Sequence, residues 1–242
     1  MNNLETKSKA TPYRGQINPF QISAGIQIVK KNAKRLMEDA KILFEANRFP
    51  TACSIGILAI EEIGKLPILR RMAIAENTEH WKICWRDFSD HLQKSQHWII
   101  PFLVKNAPSF EEFSDQFYQG RDADLMNSLK QLGFYAGCYG RAHWADPKNI
   151  VEKEQASLVI HSANVLLAGS QPSELDVPSA LNAWANHMKG CFSCDPGIAN
   201  NGVVEFLKKV KPEKTDRDDG GISPKVAFEF MSTVIYISNE NF

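Results

Sequence analysis

The sequence lacks most of the features that assign a chain to a class on sight. No stretch reaches the roughly 18 apolar residues that would span a bilayer. The first twenty residues, MNNLETKSKATPYRGQINPF, are polar and carry no apolar signal region. Neither sign of charge is in excess, with 28 Lys+Arg against 28 Asp+Glu. A protein living on bulk attraction to nucleic acid would be basic, so any RNA this chain touches must be gripped by a local patch. Five cysteines, an odd count at irregular spacing, give no disulfide framework. There is no Walker A loop, no GxGxxG, no GxSxG and no paired ExxH of a di-iron bundle. These absences predict a cytoplasmic protein with no membrane partner and no cofactor.

What the chain does have is helical periodicity. Its 242 residues, 43% hydrophobic and 23% charged, suffice for a sizeable core. From Val29, the residues Ala33, Leu36, Met37, Ala40, Leu43 and Phe44 follow the i, i+3, i+4 rule of an amphipathic helix. ANRFP ends that helix, and Pro50 is placed to open a second one, PTACSIGILAIEEIGKLPILRRMAIAEN. The first half of this helix is apolar nearly all round, which predicts burial on most sides. Pro67 is expected to kink it or end its first section. A third helix runs from about Trp81 to Pro101, and residues 105–124 read as a polar connection. Leu125, Leu129 and Leu132 mark a fourth helix, followed by the Gly- and aromatic-rich GFYAGCYGRAHWADP. A fifth spans about Val151 to Ala168, and shorter pieces follow at about 179–190, 202–210 and 224–237. Residues 234–237 are also compatible with a strand. The expectation is an all-α protein: a flexible tail over 1–21, a helical bundle over 22–170 and a smaller carboxy-terminal helical extension over 171–242.

The third helix contains WRDFSDHLQK. At about 100° per residue, Trp85, Phe88, Leu92, Ile99 and Leu103 form a core-facing stripe, with Arg86, Asp87, Asp90, His91 and Lys94 on the opposite arc. Asp87 and His91 are four apart, so the carboxylate is placed to hold the imidazole in one tautomer. Arg86 and Asp90 share that spacing and could pair. Read alone, this is either a solvated face with a weak ion pair or the working edge of a nuclease. The second helix adds LAIEEIGKL, in which Glu61 and Lys65 are placed to pair. Glu62 has no such partner in its own helix. A buried carboxylate needs one, and Lys94, Arg86 or His91 would supply it, whether as a structural tie between two helices or as support for a site. Farther on, His187, Cys191 and Cys194 in HMKGCFSC offer three zinc ligands without a nearby fourth.

NAKRLMEDAKILFEANRFPTACSIGILAIEEIGK, then WRDFSDHLQK, then LKQLGFYAGCYGRAHWADP and a closing helix, resembles in that order the AbiV family of abortive-infection proteins, within the HEPN superfamily of helical domains. The similarity covers roughly residues 30 to 169. HEPN ribonucleases carry an Arg-x4–6-His motif, which maps here onto Arg86, Asp87 and His91. The resemblance implies a HEPN-like bundle, a homodimer with the site at or near its interface, and metal-independent RNA cleavage that arrests growth or translation during phage infection. His91 would act as general acid or base, Arg86 would stabilise charge on the phosphate, and Asp87 would orient one of them. Lys94 and Lys65 would bind neighbouring phosphates, with Glu61 and Glu62 as support. RNA and a phage-encoded activator or target protein are the implied partners. Some HEPN domains do not cleave, and a non-catalytic protein that captures a phage protein or part of the translation machinery is the alternative.

Overall fold

A computed structural model of the chain describes residues 11–101, 123–170 and 176–192, together with Gly202, Glu205 and Phe206. The fold is all-α among the described residues, apart from one small hairpin. Helix α1, Pro19–Glu45, starts ten residues before the apolar periodicity alone suggests. A capping box starts it: the Asn18 side chain accepts the Gln21 N–H, and the Gln21 side chain accepts the Asn18 N–H. Ile22, Ile26, Val29, Ala33, Leu36, Met37 and Ala40 form its buried stripe. Asn47, in the left-handed region at φ 58°, turns the chain into α2, Phe49–Ile63. As its composition predicts, α2 is buried nearly all round and packs against α1, α6 (Ala123–Phe134) and α8 (Lys153–Gly169).

The interruption of the second helix lies at Gly64, not at Pro67. Gly64 ends α2 and opens α3, Lys65–Met72. Pro67 sits in the first turn of α3, where a missing N–H breaks no helical bond. The third helix is also two. Helix α4 runs Thr78–Ser89, and Asp90, with extended backbone, separates it from α5, His91–Ser95, which continues as a 3-10 turn over Gln96–Ile99. The Asp90 carboxylate accepts the Leu92 N–H at 2.8 Å and so acts as the N-cap of α5. It is therefore not the partner of Arg86.

GFYAGCYGRAHWADP, left without assigned structure by periodicity, forms an antiparallel hairpin. Strand β1, Gly137–Tyr139, pairs with β2, His143–Ala145, placing Cys138 opposite Trp144. Two residues of its turn, Gly140 and Ala142, take positive φ. None of its residues is buried, and Trp144 is 80% exposed. A short helix α7, Pro147–Ile150, leads into α8, and α9 spans Pro178–His187.

Residues at both ends of the expected bundle pack onto it. Tyr13–Gly15, expected to belong to a flexible tail, lies against α4. Arg14 donates to the Trp85 carbonyl and to Ser89 Oγ, and Trp85 Nε1 donates to the Gly15 carbonyl. Leu181, Trp184, Met188, Phe192 and Phe206 join the same apolar cluster as α1, α2 and α8. Asp176, fully buried, binds Lys30 Nζ at 2.6 Å and Arg70 Nε at 2.8 Å, and its carbonyl accepts from Ser23. The polar connection over 105–124 and the elements expected over 202–210 and 224–237 fall almost wholly outside the described residues.

Asp176→Ala should lower stability by roughly 3–5 kcal/mol, because two buried cations lose their shared carboxylate. Urea unfolding measures this directly, and a loss well under 1 kcal/mol would contradict the account.

Candidate functional site

The site forms where α2, α5 and α6 meet, around one buried carboxylate. Glu61 lies on the buried side of α2. Its Oε2 is 2.7 Å from His91 Nδ1, and its Oε1 accepts from Lys130 Nζ at 2.5 Å. The pairing expected from spacing, Glu61 with Lys65, does not form. The helix breaks between them, so the i, i+4 geometry is lost. Lys65 binds Glu62 instead, which gives Glu62 a partner within its own segment of chain rather than on the third helix. The Lys65 ammonium also lies 5.2 Å from the centre of the Phe88 ring.

His91 stands at the first position of α5 and its side chain is 59% exposed. A carboxylate can only accept, so the Glu61 contact requires the proton on Nδ1, and the neutral imidazole then has its lone pair on Nε2. This is the arrangement that suits imidazole to take or return a proton at Nε2.

Asp87 does not hold His91. The break at Asp90 takes His91 off the α4 face, and Asp87 points inward with Trp81, Ile83 and Cys84. Its Oδ2 accepts from Arg71 Nη1 at 3.2 Å and its Oδ1 from Arg86 Nε at 3.1 Å. Burial raises the Asp87 carboxyl above the ordinary range, with Arg71 and Arg86 opposing the rise. Of the two residues it was expected to orient, it takes Arg86. That arginine is 67% exposed and donates to Asp87 through Nε, so most of its side chain is open to a ligand.

Lys94 is buried one turn beyond His91. Burial pushes its amine below the ordinary value and Lys65 adds to this, while Glu61 and Glu62 act the other way. Its backbone carbonyl presses on Gly64, where an added Cβ would stand 2.0 Å from that oxygen. Glycine is therefore what lets α5 approach the end of α2. Beside Lys65, a groove of about 760 Å³ opens along α1, its lining partly apolar (Ile28, Val29, Phe88) and partly charged, with Lys31, Lys34, Arg35 and Lys65 against Glu38 and Glu62.

Sequence reasoning missed Lys130 and Arg71. Lys130 is four residues after Met126 and lies on the buried face of α6, a charge in an apolar register that could have flagged it. The zinc alternative gains nothing from the described residues. His187 Nε2 lies 2.8 Å from the Gly202 carbonyl, Cys191 is half-buried, and Cys194 lies outside the description. No group of three metal-binding side chains occurs among the described residues. No described helix is long and apolar enough to cross a membrane.

The sequence matches the AbiV family over residues 21–168. The chain belongs to the AbiV family of HEPN abortive-infection proteins. No curated protein and no solved structure matches it. The matched region of this AbiV chain contains every residue of the Glu61 cluster and stops before Asp176 and Phe192. The segments that carried the resemblance now have physical roles. AIEEIGK supplies the buried carboxylate and the glycine under α5, and the LKQLGFYAG segment supplies Lys130.

Two outcomes follow for the AbiV chain. Gly64→Ala should separate α5 from α2 and destabilise the fold by about 1–3 kcal/mol or more, since backbone rather than a flexible side chain must move. A variant with an unchanged unfolding midpoint would refute the close approach. Burial also pushes His97 down to about 4, against 6.5 when exposed. The unfolded chain therefore binds this proton first. The stabilisation is complete above pH 6.5 and is lost as pH falls through about 4, with a slope of up to about 1.4 kcal/mol per unit. His97→Gln should flatten this acid limb in unfolding curves recorded between pH 7 and 4, and an unaltered limb would exclude His97 as its source.

Proposed function

We propose that this AbiV protein is a growth-arresting, metal-independent endoribonuclease of the cytoplasm, acting in abortive infection as a homodimer. The observation that carries the reading is the His91–Glu61 contact: a buried carboxylate fixes Nδ1–H, and Nε2 is left for the substrate. In the proposed reaction His91 takes the proton from a ribose 2′-hydroxyl. The 2′-oxygen bonds to phosphorus, the bond from phosphorus to the 5′-oxygen breaks, and that oxygen receives a proton. The products are a 2′,3′-cyclic phosphate and a 5′-hydroxyl.

One imidazole cannot give and take at the same moment, so the second proton comes from the His91 of a second copy across the interface. Arg86 neutralises charge gathering on the phosphate, and Asp87 holds it there. Lys65 and the cations of the adjacent groove receive flanking phosphates, which answers the lack of net positive charge.

The exposed hairpin favours a second reading, in which the chain binds a phage protein or a translation component without cleaving RNA. The test compares wild type with His91→Ala and Arg86→Ala during phage challenge, reading growth and RNA integrity together. His91→Ala should fold normally and lose about 10²–10⁴-fold in cleavage. Protection that survives both substitutions would discard the nuclease in favour of the binding protein.

A further inference from the structure

The carboxy-terminal segment, which lies beyond the family match, reaches the motif helix by a chain of contacts. Phe192, only 1% exposed, stacks on His80 with ring centroids 3.8 Å apart and planes within 9°. The Arg71 guanidinium carbon lies 4.3 Å from the centre of the same Phe192 ring. Nearby, the Gly190 N–H donates to Glu76 Oε1 at 3.2 Å, a second clasp between this segment and the loop before α4. Arg71 then binds Asp87, and Asp87 binds Arg86.

We propose that Phe192 and Arg71 are positioning residues for Arg86: the docked carboxy-terminal segment fixes the Arg71 guanidinium, which shares the Asp87 carboxylate and leaves Arg86 at the surface to meet phosphate. The inference rests on the nuclease reading for its consequence, but not for its geometry. An arginine side chain has many rotamers, and a buried ring against its face selects one of them. With Arg71 held, the Asp87 carboxylate has an interior counter-charge on Oδ2, and only Oδ1 reaches toward Arg86. With Arg71 released, a buried carboxylate would have Arg86 as its nearest counter-charge and would draw that guanidinium inward. The arginine would then stabilise Asp87 rather than a substrate.

The full-length protein tests this with Phe192→Leu and Arg71→Lys. Leucine keeps apolar bulk but removes the flat face, and lysine keeps the charge but removes the planar fork. Thermal unfolding checks that each variant folds. On a single-stranded oligoribonucleotide, each should lower kcat about 10-fold with little change in KM, since Arg86 acts in the transition state. Phe192→Ala, which also opens a cavity, should be at least as impaired. An independent readout is the Arg86 Nε–H resonance, assigned by its loss in Arg86→Lys. It should exchange slowly with water in wild type and quickly in Phe192→Leu.

Full cleavage by a folded Phe192→Leu, or an Arg86 resonance that does not respond, would overturn the proposal. A wild-type protein that cleaves nothing, but whose Arg86 resonance responds to Phe192→Leu, would keep the positioning chain and remove the nuclease reading.

Discussion

The carboxylate of Glu61 is the constraint around which the site is arranged. Placed on the buried side of α2, it would cost several kcal/mol without a counter-charge and hydrogen-bond donors. Lys130 answers it from α6 and His91 from α5, so one side chain ties three helices at one point. The rest of the local geometry serves that meeting. The helix must stop at Asp90 for His91 to leave the α4 face, and Gly64 must lack a Cβ for α5 to come close. Lys94, drawn into the interior by the same approach, is the price of bringing α5 so near.

A second set of interior charges runs through α3. Arg70 and Arg71 are neighbours in sequence but point to different partners. Arg70 joins Lys30 on Asp176, while Arg71 joins Asp87 and lies against Phe192. Both connections reach residues beyond the region matched to the family. Buried ion pairs add little net stability compared with apolar packing, but they tolerate few alternative arrangements. That selectivity suits a helix whose two arginines fix the carboxy-terminal segment on one side and the motif helix on the other.

Much of the fold was legible in the sequence, because apolar periodicity reports burial directly. Helices α1, α2, α6 and α8 follow the stripes that predict them. The breaks were harder. Pro67 drew attention as the stronger helix breaker, yet the first turn of a helix accommodates proline, and the interruption fell on Gly64. Asp90 with Gln93 three residues later carries the signature of a helix start, and it was overshadowed by the apolar stripe of Trp85, Phe88, Leu92 and Ile99 that spans it. The pairings were least legible. Partner choice for Glu61, Glu62 and Asp87 depends on how each segment is rotated, and two breaks, at Gly64 and at Asp90, reassign all three. The candidate residues were identified by type and by resemblance. Their actual neighbours required Lys130 and Arg71, which come from other helices and carry no local spacing to announce them.

The hairpin has an optical consequence. Of the five tryptophans in the chain, Trp81 and Trp184 are buried, and Trp85 and Trp98 are half-buried. Trp144 alone stands almost fully in water. A water-soluble quencher therefore meets mainly one indole, so the quenchable part of the intrinsic emission belongs to the hairpin. Any molecule that covers the hairpin darkens that pathway and leaves the emission of the bundle as it was.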